Sequence, residues 1–208
     1  LPRIERWFGR ETAAFAGGLL RAGAAIIRER IERYRIACDW RPGNLFVALT
    51  GAQLRGLEAK AARWRAAGLD GLELLDGAAV RRHVASERYV GGLLDHGGGH
   101  LHPLNLALGE AAAVESLGGV VHERSPVTGF EVEGERVRVR TASGSVRAGH
   151  VVFAGNAYLN GVVPELERRV MPVSTQMVAT VPLGAERAAA LLPSDLCVED
   201  CRYVLDYY

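Results

Sequence analysis

The sequence predicts a mixed α/β fold, and three observations predict it. Val151-Val152-Phe153 is an apolar run with no polar break, leading into Ala154-Gly155-Asn156. A run apolar on both faces is the habit of a strand buried on both sides, as in parallel sheets. Residues 11–35 place Phe15, Leu19, Ala22, Ile26, Ile27, Ile31 and Tyr34 at helical spacing, with Arg and Glu between them. Between residues 127 and 148, three short β-type segments are joined by turn residues.

The elements follow in order. A long helix is expected from Glu11 to Arg35, held by packing because Gly17, Gly18 and Gly23 weaken its propensity. Residues 38–44 turn the chain into a strand from Leu45 to Leu49. Thr50 caps a helix from Ala52 to Ala67, which Gly68 stops. Leu72–Leu75 is a strand, Asp76 caps a short helix to Val84, and Tyr89–Leu94 is another strand. Asp95-His96-Gly97-Gly98-Gly99-His100-Leu101-His102 reads as a loop, since three consecutive glycines favour backbone freedom. Pro103 opens the next helix, to Leu117, and Gly118-Gly119 ends it.

Val120–His122 is expected as a brief strand. Val127–Val132, Val137–Thr141 and Val146–Ala148 then form a meander that delivers the chain into Val151–Phe153. Gly155 sits where that strand stops, and there a glycine allows a positive φ or a close approach to a ligand. In open α/β sheets, ligands bind outside the carboxyl ends of the strands. Beyond it, Val170–Val181 reads as a strand, Gly184–Leu191 as a short helix, and Leu196–Val198 and Arg202–Tyr207 as β segments.

Composition narrows the function classes. The 208 residues suffice for one large or two small domains, with 49% hydrophobic and 24% charged residues. A net charge of +1, with Arg interleaved among Glu and Asp, argues against nucleic acid as a partner. No apolar stretch reaches the roughly 18 residues of a membrane span, so no membrane partner is expected. Three scattered cysteines make no disulfide framework and suit a reducing cytoplasm. Leu1 is not an initiator methionine, and residues 203–208 read as a strand in progress. The chain is therefore expected to be an internal part of a longer polypeptide.

Four stretches carry a family resemblance: Asp39-Trp40-Arg41-Pro42-Gly43, Gly98-Gly99-His100-Leu101-His102-Pro103-Leu104-Asn105, Val151 to Tyr158, and Met171-Pro172-Val173. In this order and spacing the chain resembles the FAD-dependent amine and amino-acid oxidoreductases of the D-amino-acid oxidase and sarcosine oxidase type. It is most similar to the gamma-glutamylputrescine oxidoreductase branch, from about Phe15 to Tyr208. The resemblance implies an FAD/NAD(P)-binding, Rossmann-like domain remnant with an interleaved substrate-domain β-sheet. Residues 1–37 and 96–160 would belong to the FAD-binding part, and 38–95 and 161–208 to the substrate-binding part.

The same resemblance implies FAD as cofactor, a small-molecule amine as substrate, and oxygen or another electron acceptor. The implied reaction is hydride transfer from the amine's C–H to the flavin, then imine hydrolysis and reoxidation. Val127 would present backbone groups to the adenine, and Ala154, Gly155 and Asn156 would lie beside the FAD. Tyr203, Tyr207 and Tyr208 would belong to the substrate pocket, with Tyr203 and Tyr208 the ones selected. Core or surface aromatics are the plainer reading of these tyrosines, and no residue stands out as a catalytic base. The chain departs from the family in one respect. No glycines stand at i, i+2 and i+5, the phosphate-binding turn of such cofactor domains. These 208 residues alone are therefore expected to hold FAD weakly or not at all, and to be inactive. The competing expectation is a non-catalytic α/β interaction or structural module.

His96, His100 and His102 have the pattern His-x3-His-x-His, but no Cys or carboxylate is arranged to complete a tetrahedral site, so no metal is expected. Cys197 and Cys201 lack the two-residue spacing of zinc or redox pairs and read as small buried hydrophobes.

Overall fold

The computed structural model describes residues 2–208, the side chains of residues 2, 20 and 21 apart. Among the described residues there are thirteen elements: α1 (Pro2–Arg33), β1 (Arg41–Ala48), α2 (Gly51–Ala66), β2 (Leu72–Asp76), α3 (Gly77–Arg81), β3 (Gly91–His100), α4 (Pro103–Ser116), β4 (Val127–Glu133), β5 (Arg136–Thr141), β6 (Gly144–Ala148), α5 (Pro164–Glu167), α6 (Ala185–Leu191) and β7 (Cys197–Asp200). They fall into two compact units. One takes residues up to 119 together with 181–208, and the other residues 120–180. Among the described residues no helix is long and apolar enough to cross a membrane.

The larger unit is built on a four-stranded mixed sheet in the order β2-β3-β1-β7. β3 pairs antiparallel with both β2 and β1, and β7 pairs parallel to β1. Strand alternation divides β1 between two cores. Leu45 and Val47 join Leu75, Val80, Val84, Leu94, Leu196 and Val198 on one face. Phe46 and Ala48 join Leu57, Ala61, Leu72 and Leu93 on the other, where α2 packs. Leu45, Val47, Leu93 and Val80 are wholly buried. Each such side chain contributes about 1.5–3 kcal/mol of burial, so this sheet carries the stability of the unit.

The local signals explain the helix ends. Thr50 accepts from Gln53 N–H at 3.2 Å, and the Gln53 side chain accepts from Thr50 N–H at 3.1 Å, a reciprocal cap on α2. Asp76 caps α3 by accepting from Ala79 N–H at 2.7 Å. α1 runs further than its periodicity suggests and is broken by non-helical backbone at Gly9. α3 stops at Arg81 rather than Val84, with turns carrying the chain on.

The triple-glycine stretch is strand rather than loop. β3 continues through Gly97, Gly98 and Gly99 to His100, which sits opposite Arg41. The reason is close approach rather than freedom. A Cβ on Gly99 would stand 2.7 Å from the Trp40 ring and collide with the Arg41 carbonyl.

The smaller unit holds an antiparallel sheet in the order β4-β5-β6, the expected meander. Its polar face carries ion pairs. Arg138 and Arg147 meet Glu133 at 2.6 and 3.0 Å, and Arg140 meets Glu131 at 2.7 Å.

Three expected strands are absent. Val120–His122, Val151–Phe153 and Val170–Val181 carry no ladder, and Val152, Met177 and Val178 are exposed. Apolar, β-branched composition supplies propensity, but a strand needs a neighbour whose N–H and C=O groups complete its own. Among the described residues none pairs with these runs. The segment 202–207 is likewise not a strand. It loops back so that Tyr207 bridges Glu199, and Val198 and Tyr208 exchange both backbone hydrogen bonds, at 2.7 and 3.0 Å.

Candidate functional site

In the smaller unit, Val127 opens β4 and is 39% exposed. β4 is an edge strand, so part of its backbone stays free to bond outward. The Phe130 ring of β4 lies 5.0 Å from the Phe153 ring, centroid to centroid, at a 53° tilt. That contact ties the 151–156 segment to the meander without a ladder. Phe153 leads into Ala154, which is exposed, and then a turn in which Tyr158 N–H donates to the Gly155 carbonyl at 2.8 Å.

The positive φ expected at Gly155 falls on its neighbour. Asn156 takes the positive φ, at 49°, which Asn tolerates better than most residues. At Gly155 itself, a Cβ would stand 3.0 Å from the Leu159 side-chain end, Cδ2. Tyr158 is largely exposed.

FAD needs small residues against its flat groups and a cradle of N–H groups around its pyrophosphate. Ala154, Gly155 and the edge of β4 fit the first requirement. For the second, no glycines stand at i, i+2 and i+5, and the helices without a side-chain cap, α5 and α6, are short, at four and seven residues. The N-termini of α2, α3 and α4 are each already closed by a side chain, from Thr50, Asp76 and His102.

In the larger unit, the selected tyrosines part company. Tyr203 is fully exposed and Tyr207 is 71% exposed. Tyr208 is 45% exposed and anchored, its backbone bonded to Val198 and its phenol oxygen 2.6 Å from the phenol oxygen of Tyr89. Tyr89 in turn packs against the core around Leu45 and Val47. Burial, reinforced by the Tyr89 hydrogen bond, pushes the Tyr208 phenol well above its ordinary value. It therefore stays protonated through the neutral range. Nothing in the sequence marks Tyr89 beyond its place just before the glycines of β3.

The three histidines do not converge. His96 Nε2 meets Glu73 at 3.2 Å, His100 Nε2 lies 2.8 Å from the Asp195 carbonyl, and His102 Nδ1 accepts from Asn105 N–H at 3.2 Å. Each ring holds a different segment in place. Among the described residues no cluster of three metal-ligating side chains is present.

Lys60, the only lysine of the chain, stands outside every motif of the sequence. Its ammonium sits 3.5 Å from the Phe46 ring centre and 4.6 Å from that of Trp64. Burial holds the amine below its ordinary value, while Glu199, Cys201 and Asp95 pull it back up. Glu199 is pushed up by burial, with Lys60 opposing. Burial likewise raises the Cys197 and Cys201 thiols, which makes both poor nucleophiles.

Residues 4–208 match the FAD dependent oxidoreductase family, DAO. The chain is 52% identical over 206 residues to gamma-glutamylputrescine oxidoreductase of Escherichia coli, covering 99% of this chain and 48% of that protein. It is 37% identical over 189 residues to a probable oxidoreductase, OrdL, of Haemophilus influenzae, covering 88% and 44%. Among solved structures it is similar to glycine oxidase from Geobacillus kaustophilus, with a TM-score of 0.59 and 23% identity over 70% of this chain and 40% of that one. L-proline dehydrogenase from P. horikoshii gives the same TM-score at 18% identity, over 67% and 38%. These two likenesses show the fold. The chain spans about half the length of the curated relatives it matches. The caps, the glycine-lined β3 and the meander leading into Ala154-Gly155-Asn156 are thus parts of a member of the FAD dependent oxidoreductase family.

Proposed function

We propose that the polypeptide carrying this chain oxidises the C–N bond of a small-molecule amine in the cytoplasm, with γ-glutamylputrescine the first substrate to try. The observation that carries this reading is the 52% identity to gamma-glutamylputrescine oxidoreductase across 99% of the chain. When bound, FAD supplies the two-electron acceptor, and oxygen or another acceptor takes the electrons onward. In this reading Val127 offers backbone groups to the adenine, and Ala154, Gly155 and Asn156 border the cofactor. Residues 1–37 and 96–160 belong to the cofactor part, and 38–95 and 161–208 to the substrate part. Tyr208 lines the substrate pocket, with Tyr203 at the tip of the same hairpin. The Tyr208 phenol stays neutral and orients substrate by hydrogen bonding rather than by charge.

The test is anaerobic mixing of the FAD-reconstituted full-length polypeptide with γ-glutamylputrescine, other amines and amino acids. Bleaching of the oxidised flavin's visible absorbance by an amine is expected. Retained flavin that no amine or amino acid bleaches would overturn the reading.

A further inference from the structure

Lys60 carries a further role, which rests on the amine-oxidising reading. The other strongly basic side chains of these residues are all Arg, whose guanidinium stays protonated. Lys60 is therefore the one side-chain amine here that can act as a nucleophile. Its Nζ lies 3.5 Å from the Phe46 ring centre and 4.6 Å from that of Trp64, and the two rings meet edge to face at 5.8 Å. Among the described residues Nζ makes no hydrogen bond and no ion pair, so ring faces are its direct contacts. Phe46 is buried and closes the seat from the sheet side, while Lys60 and Trp64 are partly exposed and leave it open along α2. Glu199 of β7 is the direct partner of Phe46 in the parallel pairing with β1, so its side chain projects on the same face of the sheet. Burial lowers the amine and raises the Glu199 carboxyl, and both directions favour the uncharged forms. A neutral amine attacks carbonyl carbon, and a neutral carboxyl donates a proton to a leaving hydroxyl.

We propose that Lys60 is a covalent aldehyde site: its Nζ captures the aldehyde that amine oxidation releases, as a Schiff base seated on the Phe46 and Trp64 rings, with Glu199 as proton donor. Hydrolysis of the imine from a primary amine gives an aldehyde and ammonia. The Nζ lone pair forms the C–N bond to the aldehyde carbon, and one amine proton passes to the carbonyl oxygen. Glu199 then protonates that hydroxyl, which leaves as water. One amine, one aldehyde and one proton thus give one iminium and one water, with no oxidant or reductant consumed. The iminium keeps a cation on the ring faces, beside the carboxylate that Glu199 has become.

The experiment uses the FAD-reconstituted full-length polypeptide, n-butanal as probe, cyanoborohydride to reduce the imine, and peptide mass mapping. The added butyl group is expected on Lys60, and the pH of half-maximal labelling should lie below that of Nα-acetyl-lysine treated alongside. Lys60→Arg, which keeps a cation on the rings, should lose the label from this peptide. Glu199→Gln should slow labelling about tenfold or more. Thermal melts above the labelling temperature show that each variant is folded. During turnover of γ-glutamylputrescine, the same trap should leave the product aldehyde on Lys60. Labelling no faster than that of Nα-acetyl-lysine, or with the same pH dependence, overturns the site. Full-rate labelling in Glu199→Gln overturns its part as donor. Turnover that leaves Lys60 unmodified overturns capture of the product. Selective butanal labelling beside a flavin that no amine bleaches fails the amine-oxidising reading, overturns the product as source of the aldehyde, and supports the site itself.

Discussion

The buried Asp200 carboxylate receives both the backbone N–H of Arg202, at 2.9 Å, and its Nε–H, at 2.5 Å. The Arg202 guanidinium reaches on to Asp206, and Asp200 N–H donates to the Asp206 carbonyl at 3.2 Å. This clamp closes the loop that returns Tyr207 and Tyr208 to β7. Burial by itself would raise the Asp200 carboxyl, but the bonds from Arg202 outweigh it and hold the group below its ordinary value.

A carboxyl depressed in the folded state stabilises above its unfolded value, near 4, and that contribution fades as pH falls through the folded value. Asp200→Asn is expected to cost about 1.5–3 kcal/mol at neutral pH, the range of a hydrogen bond to a charged group. The gap between wild type and variant should narrow steadily below about pH 4. Urea unfolding at neutral and acid pH checks this, and a gap independent of pH would count against the clamp.

Gly99→Ala is expected to destabilise, because the new methyl meets the Arg41 carbonyl and the Trp40 ring at once. Overpacking of this kind costs about 1–3 kcal/mol. Gly134→Ala at the β4–β5 turn, where a Cβ meets open space but φ is 64°, would instead be strained by backbone conformation alone. A rescue of Gly99→Ala by Trp40→Leu in thermal melts would identify the ring as part of the collision. No rescue at all would leave the backbone carbonyl as the whole of it.

Thr50→Ala removes one half of the α2 cap. A loss of about 1 kcal/mol is expected, and Thr50→Asp should recover most of it. Gln53→Ala should cost more than its half of the cap, since Gln53 also accepts from Leu49 N–H at 2.8 Å and donates to the Cys201 carbonyl at 3.3 Å. Chemical denaturation of the three variants orders them, and equal losses would remove the second role assigned to Gln53.

The 208-residue chain by itself is expected to bind hydrophobic dyes or aggregate, and to release FAD on desalting. Phe15, Leu104, Leu108, Leu117, Val152, Met177 and Val178 are all exposed, and each Å² of apolar surface in water costs about 25 cal/mol. Sedimentation and dye fluorescence test the first point. A soluble monomer that melts cooperatively and keeps its flavin would show both expectations wrong.

The sequence by itself determined the pieces whose causes are local. The caps by Thr50 and Asp76, the meander over residues 127–148, and the alternation that sends Leu45 and Phe46 to opposite faces all follow from side chains near in the chain. The family was legible too, in motifs whose order and spacing survive without coordinates. Tertiary structure decided what depends on a distant partner. Gly97–Gly99 became strand because Arg41 and Pro42 lie alongside, and Val151–Phe153 did not because no ladder meets it. Lys60 gained its aromatic seat from Phe46, a strand away, and Tyr208 gained its anchor from Tyr89, separated by 119 positions. Propensity is a property of a residue and its neighbours in sequence. A hydrogen-bond partner is a property of the fold, and only the folded chain could name it.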